Sequence, residues 1–145
     1  MGLETEANGP NFAITREGPI AHCRIWSRPD LSTAEGAACA GAVEQHLERL
    51  ASDPAVRALI FDVADAPAAA GPKTLASLAR LFAAFEDVGK PVAVIVGHSA
   101  MRHIQFHRLV SENAGTLGSV QADADIAYER ARAHLRQRGG SARRQ

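Results

Sequence analysis

The stretch Val56–Thr74, VRALIFDVADAPAAAGPKT, decides the fold that the sequence predicts. The apolar run Ala58–Phe61 predicts a short buried strand that ends in an acid, Asp62, and a loop of small residues follows. Gly71-Pro72 then begins a strongly periodic helix. In open α/β sheets, ligands usually bind where a strand end feeds such a loop and helix start. This loop is therefore the first candidate for a binding site.

The helix that follows is the clearest in the chain. Its apolar residues recur at i, i+3, i+4, i+7 and i+10 and so form a single stripe. They are Leu75, Leu78, Ala79, Phe82 and Phe85. Gly89 ends this helix, and Val92–Val96 (VAVIV) predicts a strand that is buried on both faces. Gly97-His98-Ser99 is predicted to be a tight loop before a third helix, Met101–Asn113.

Upstream of the deciding stretch, Phe12–Thr15 and Ile20–Trp26 predict two strands joined as a hairpin by the turn at Glu17-Gly18-Pro19. Ser32-Thr33-Ala34-Glu35 has the Ser-x-x-Glu form of a capping box, in which each side chain satisfies an unpaired backbone N–H. This motif predicts a helix that begins there and ends at about Ser52.

The C-terminal part adds a weak edge strand, Thr116–Val120, and a last helix that Asp123 can cap and that ends at about Leu135. The inner face of this helix is predicted to be Ala124, Ala127, Ala131 and Leu135. The element order predicts an α/β fold: a mixed sheet of about five strands with about four helices. The N-terminal hairpin comes first, and parallel strand–helix units follow it.

The chain of 145 residues is long enough for one hydrophobic core. We expect one α/β domain over residues 12–136. Residues 1–11 are polar and lack periodicity, which predicts a flexible lead-in. Residues 137–145 are rich in Gly, Arg and Ser, which predicts a disordered basic tail.

The formal net charge is zero, which argues against nucleic acid or a membrane surface as the main partner. Cys23 and Cys39 lack CxxC spacing and are interpreted as buried, reduced thiols. Met1–Pro10 is polar and no apolar run is long enough to span a bilayer. These features predict a cytoplasmic protein that does not insert into membranes.

The order of elements from Phe12 to Leu135 resembles the STAS domain, the fold of sporulation anti-sigma-factor antagonists and of sulfate-transporter tails. The opening hairpin, the strand end Leu59–Asp62 and the loop that enters a helix at Gly71 carry this resemblance. The strand at Pro91–Val96 and the final strand and helix also match. The resemblance implies a stand-alone bacterial regulatory protein that works by binding other proteins.

In antagonist members of this family, the loop carries Asp-Ser-Ser-Gly or a similar sequence, and a partner kinase phosphorylates one serine. Here Ala68-Ala69-Ala70 precede Gly71. The nearest hydroxyls belong to Thr74 and Ser77. Either could substitute for the serine, but we interpret them as capping or solvent-facing groups. The sequence therefore predicts that the phosphoserine switch is missing, although the fold and the interaction face are retained.

Polar groups around the loop allow other chemistry. Asp62 and Asp65 could hold Mg²⁺, but such a site needs further oxygen ligands, and we interpret these acids as acceptors for loop N–H groups. Lys73 lies in the first turn of its helix, against the preference of the helix dipole for acids. It could attract an anionic ligand or an acidic partner, and a solvated lysine is the simpler interpretation.

Three histidines suggest a zinc hypothesis: His98, His103 and His107. His103 and His107 are separated by four residues on one helix and can face one point. Zinc needs a third and usually a fourth ligand, and no Cys or Glu-x-x-His pattern accompanies them. We therefore predict no metal and no cofactor, and interpret these histidines as partly buried groups at a helix–sheet or dimer seam.

Ser52–Ile60 followed by Ala69-Ala70-Gly71 loosely resembles the first half of crotonase-type acyl-CoA enzymes, in which backbone N–H groups form an oxyanion hole. The second glycine-rich loop and the acid/base carboxylates of those enzymes have no counterpart here, and Pro72 lacks an N–H. No GxSxG motif is present either. The sequence therefore predicts a protein that is not an enzyme.

We predict a non-catalytic regulatory or scaffolding module of STAS type. Its partner is another protein: a kinase, an anti-sigma factor or a second copy of the chain, which could pair through the sheet edges to form a homodimer. The predicted partner-binding residues are Asp62, Asp65, Gly71, Lys73, Thr74, Ser77, His98 and Ser99. Two alternatives remain: a small-molecule or lipid-binding STAS-like module with its pocket beneath the second helix, and a degenerate crotonase-like acyl-CoA-binding protein.

Overall fold

The computed structural model describes residues 3–67 and 71–144, with side chains described as far as residue 137. It contains one six-stranded sheet and four helices. The strands are β1 (Glu4–Gly9), β2 (Phe12–Glu17), β3 (Ile20–Trp26), β4 (Ala58–Asp65), β5 (Val92–Ile95) and β6 (Ser119–Gln121). The helices are α1 (Thr33–Ser52), α2 (Pro72–Asp87), α3 (Ala100–Asn113) and α4 (Ala124–Arg144). The predicted fold class, a mixed α/β sheet with four helices, is confirmed.

The strands lie in the sheet in the order in which they occur along the chain. β1, β2 and β3 pair antiparallel, and β3, β4, β5 and β6 pair parallel. Because each parallel strand lies beside the previous one, connections of the same hand place α1, α2 and α3 on the same face of the sheet. The helix α4 follows the last strand and packs on the opposite face.

The strand β1 was not expected, because residues 1–11 were predicted to be a flexible lead-in. Residues Glu4–Gly9 pair antiparallel with β2, with an irregularity in register between Thr5 and Ala7. The guanidinium of Arg16 on β2 lies 3.5 Å from the carboxylates of both Glu4 and Glu6. Backbone pairing and these ion pairs stabilise β1, although its sequence lacks the alternation of apolar and polar residues that is typical of a strand.

Both ends of α1 have specific partners. At its start, the Ser32 hydroxyl accepts a hydrogen bond from the Glu35 N–H and the Glu35 carboxylate accepts one from the Ser32 N–H, both at 3.1 Å. The predicted capping box is therefore confirmed. At its end, the Lys90 ammonium donates to the carbonyls of Leu50, Ala51 and Asp53 at 3.1, 2.7 and 2.7 Å. This cation satisfies carbonyls that a helix C-terminus leaves unpaired.

The main core lies between the sheet and helices α1, α2 and α3. Phe61, Phe82 and Phe85 are fully buried there. The ring of Phe61 meets that of Phe82 edge-on at 5.5 Å between centroids and lies 6.5 Å from that of Phe106. These rings fill the space beneath α2 where the alternative interpretation placed a small-molecule or lipid pocket.

The opposite face of the sheet carries α4. Its inner residues are those predicted from the sequence: Ala127 and Ala131 are buried, and Ala124 and Leu135 pack beside them. They cover Ile60 and Ile95 of the sheet. The helix continues to Arg144, through most of the segment predicted to be a disordered tail. Gln145 lies outside the described residues.

Candidate functional site

The loops that follow β4 and β5 lie side by side at the carboxyl edge of the sheet, as the parallel order predicts. The guanidinium of Arg102 on α3 donates to the carbonyl of Ala66 at 2.6 Å and so ties the first loop to the start of α3. Gly97 has a φ of +66°, and a Cβ built on it would lie 3.2 Å from the Cβ of Ala64. Glycine at position 97 therefore permits both the turn and the close approach of the loop after β5 to the end of β4.

The start of α2 is exposed. Gly71 is the N-cap residue and supplies no side-chain hydrogen bond, and Pro72 follows at the first helical position. Lys73 and Thr74 are exposed, and the first turn contains no acid. The N–H groups and the Lys73 ammonium together make this helix end electropositive.

The start of α3 adds an apolar surface beside α2. Ser99 caps this helix by accepting a hydrogen bond from the Arg102 N–H at 3.2 Å, and His98 before it is exposed. The side chains of Met101 and Ile104 are 58% and 71% exposed. We call the surface formed by Lys73, Thr74, His98, Met101 and Ile104 the loop edge.

Asp62 does not belong to the loop edge, because the strand continues through it to Asp65. Side chains alternate along a strand, so Asp62 shares the face of Ile60 and Ala64, which pack beneath α4. Its side chain is only 15% exposed, and Oδ2 lies 3.7 Å from Nε2 of His22 on β3. Helix α2 packs on the opposite face of the sheet.

The environment of Asp62 favours its ionised form. Burial by itself would raise the pKa of this carboxyl, but His22, the Ala64 N–H and Arg24 outweigh it and lower the pKa below the ordinary 3.8. Oδ1 accepts a hydrogen bond from the Ala64 N–H at 3.0 Å, in agreement with the interpretation of the acid as a local acceptor. Burial and the Asp62 charge raise the pKa of the Cys23 thiol to about 12, so this thiol is unreactive.

Asp65 and Ser77 are engaged within the chain. The carboxylate of exposed Asp65 accepts from the Arg24 guanidinium at 2.8 Å. The hydroxyl of Ser77 lies 3.4 Å from the Glu44 carboxylate on α1 and 3.3 Å from the Arg80 guanidinium. Ser77 therefore helps to join α1 and α2, whereas Thr74 points to solvent.

His103 and His107 stack along α3, with ring centroids 6.0 Å apart and an interplanar angle of 18°. Both side chains, like that of His98, are exposed, which differs from the expectation of partly buried histidines. Within residues 3–67 and 71–137, no three His, Cys, Asp or Glu side chains converge as a metal site would require. The hypothetical acyl-CoA oxyanion donors include Ala70, which lies outside the described residues.

Sequence reasoning missed several surface residues. Met101 and Ile104 are apolar residues three positions apart on α3. This spacing is also typical of a buried helix face, so the sequence alone does not show that these two side chains are exposed. His22 and Tyr128 are 106 residues apart, yet His22 Nδ1 lies 2.6 Å from the Tyr128 hydroxyl. Local periodicity gives no signal for a contact of this kind.

The chain has a STAS-like fold. It is similar to the crystal structure of an anti-sigma factor antagonist from Mycobacterium paratuberculosis, with a TM-score of 0.55 and 18% sequence identity. The similarity covers 90% of this chain and 95% of that one. No family model and no curated protein sequence matches the chain. Across the described residues, none of the helices is both long and apolar enough to span a bilayer.

Proposed function

We propose that the protein is a regulatory protein-interaction module of STAS type that binds its partner through the loop edge and performs no catalysis. The observation that carries this proposal is the exposed apolar pair Met101 and Ile104 beside the start of α2, on the fold of an anti-sigma factor antagonist. Exposed apolar side chains clustered at one site favour protein contact. Gly71 and Ser99 cap the two helices that carry this edge, and Asp65 ends the strand that leads into it.

The chemistry of the loop edge defines the partner. Met101 and Ile104 need an apolar patch, and Lys73 at the electropositive start of α2 favours acidic groups around that patch. We infer a cytoplasmic bacterial partner of the anti-sigma factor or kinase class with an acidic, apolar docking surface. Binding does not depend on a phosphoserine, because Ala68-Ala69-Ala70 replaces the serine and Ser77 is held by Glu44 and Arg80.

Affinity capture from the native host, followed by reconstitution with the identified and purified partner, tests this function. Ile104→Asp and Met101→Asp should each weaken the measured affinity at least about tenfold, because a carboxylate replaces an apolar side chain that the bound partner would bury. Val88→Asp is the matched control: Val88 is 55% exposed at the opposite end of α2, and its substitution should leave the affinity unchanged.

Two results would contradict the proposal. One is a reconstituted complex whose affinity is the same for Ile104→Asp and the unmodified chain. The other is co-purification of a metabolite without a protein. Thr74→Ala should bind as the unmodified chain does, and phosphate found on Thr74 in the complex would show that a switch exists after all.

A further inference from the structure

The face of the sheet that carries α4 is only half covered. Helix α4 packs on β4, β5 and β6, and Tyr128 reaches β3. Thr5, Thr15 and His22 are opposite one another in β1, β2 and β3, so they share this face. Among the described residues, no helix lies over these three strands on that side. The result is a polar floor beside α4, which also carries two charged side chains, Glu17 in the lining of the cleft and Arg24 on the same face of β3 as His22.

The side of α4 that borders this floor carries a stripe of charges. Asp125, Glu129, Arg132 and Arg136 are spaced at i, i+4, i+7 and i+11, so they lie along one side of the helix. All four line a cleft of about 650 Å³ between α4 and the sheet. The acids occupy the N-terminal half of the stripe and the bases the C-terminal half.

Interactions within one chain account for only part of this stripe: the Arg132 guanidinium lies 5.2 Å from the centroid of the Tyr128 ring, and Glu129 and Arg132 are an i, i+3 pair of opposite charge. The helix dipole favours Asp125 in the first turn, but its effect is confined to the terminal turns. Arg132 and Arg136 lie two or more turns before Arg144, where α4 ends. Each like-charged pair four residues apart is unfavourable, and in the described part of the chain none of the four side chains forms an ion pair.

We propose that this half-covered face binds a second copy of the chain, with the two α4 helices antiparallel about a twofold axis. An acid-to-base stripe is complementary to itself when it is reversed. In this arrangement Glu129 faces Arg132 of the partner subunit, and Asp125 faces Arg136 of the partner subunit. Each pair occurs twice, so four ion pairs join the eight charges of the two stripes.

The uncovered half of the sheet also has room for a second helix. The α4 of each subunit would enter the uncovered half of the other subunit's sheet, so that two sheets enclose two helices. Thr5 and Thr15 leave room for a helix on this part of the floor, and Ile126, which is 46% exposed on α4, would become buried. Stable dimers typically bury about 800 Å² per subunit, an area within reach of one long helix and half a sheet.

Sedimentation equilibrium over a concentration series tests the dimer, with charge reversals placed in the stripe. Glu129→Arg and Arg132→Glu should each raise the dimer Kd at least about tenfold, because like charges then face each other twice. A mixture of the two single variants should form a heterodimer, since both crossed pairs are attractive again. The double variant Glu129→Arg/Arg132→Glu should dimerise as the unmodified chain does, and added salt should weaken every dimer.

The control is Glu48→Arg, an exposed charge reversal on α1 that should leave the dimer Kd unchanged. Circular dichroism confirms that each variant is folded. A monomeric unmodified chain, or single variants that dimerise normally, would overturn the proposal, and the latter result would assign the dimer to a sheet edge. The proposed function is independent, because Ile104→Asp tests the loop edge on the other side of the sheet.

Discussion

The two faces of the sheet are built from different side chains. The face beneath α1, α2 and α3 is packed with large residues, including the buried rings of Phe61, Phe82 and Phe85. The α4 face is packed mainly with alanine and isoleucine, and it carries a polar cluster of His22, Tyr128 and Asp62 at its margin. Hydrophobic stabilisation scales with buried apolar area, so most of the folding free energy comes from the first face.

The two faces therefore have different roles: one provides most of the stability, and the other carries polar and charged surface groups. The three-helix face fixes the positions of the β4 and β5 loops, and thereby the loop edge. The alanine face allows α4 to lie close to the sheet, and the polar and charged groups lie at its open side. Substitutions on the two faces should therefore differ in the size and in the kind of their effects.

The largest effect should come from Phe61→Ala. This fully buried ring contacts those of Phe82 and Phe106, and its removal leaves a cavity in a tightly packed core. We expect the free energy of unfolding to fall by about 3–5 kcal/mol, measured by urea denaturation.

Ile60, the residue before Phe61, tests directly whether the two faces of the sheet contribute differently to stability. Ile60 is also fully buried, but it faces the alanines of α4. Ile60→Ala should cost about 2 kcal/mol, at the low end for such a change. A loss equal to or greater than that of Phe61→Ala would mean that the α4 face contributes as much to stability as the other face.

An intermediate effect is expected from Ala127→Leu. Ala127 is fully buried between α4 and the sheet, and a leucine there must push the helix outward. Overpacking of this kind should reduce the free energy of unfolding by about 1–3 kcal/mol in the same urea experiment. Ala40→Leu on the exposed side of α1 is the matched control and should be nearly neutral. Equal stability of both variants would show that α4 is not closely packed.

The smallest effect concerns Asp62 and pH. Its pKa is lowered in the folded state, so its contribution to stability is complete above the unfolded pKa of about 4 and is lost as the pH falls through the folded pKa. Asp62→Asn should therefore show a shallower loss of unfolding free energy below about pH 4. Asp87→Asn, at the exposed end of α2, is the control and should retain the slope. An unchanged slope in Asp62→Asn would contradict the assignment.

Much of the fold could be predicted because it depends on local patterns. The capping box at Ser32 and Glu35 and the stripe from Leu75 to Phe85 specify helices within their own segments. The run Val92–Val96 specifies a strand buried on both faces. Once these elements are placed, the rule that parallel strands share a carboxyl edge brings the β4 and β5 loops together.

The parts that could not be predicted depend on distant partners. The strand β1 is polar and exists because β2 offers a pairing edge and Arg16 offers charge. Asp62 looked like a loop acid because the apolar run stops before it, yet the strand continues and directs its side chain towards His22. The apolar part of the loop edge, Met101 and Ile104, becomes visible only when the buried side of α3 is known.

The strand order has a consequence for how the chain is made. Every strand of the sheet pairs with the one synthesised immediately before it, so the sheet can grow from β1 to β6 as the polypeptide leaves the ribosome. The β1–β2 and β2–β3 hairpins close short loops and can form early, whereas each parallel pairing must wait for a crossover helix and forms more slowly. The apolar face beneath α4 is the last surface to be covered during translation. It is therefore the surface that a nascent chain exposes for longest to chaperones and to neighbouring copies of itself.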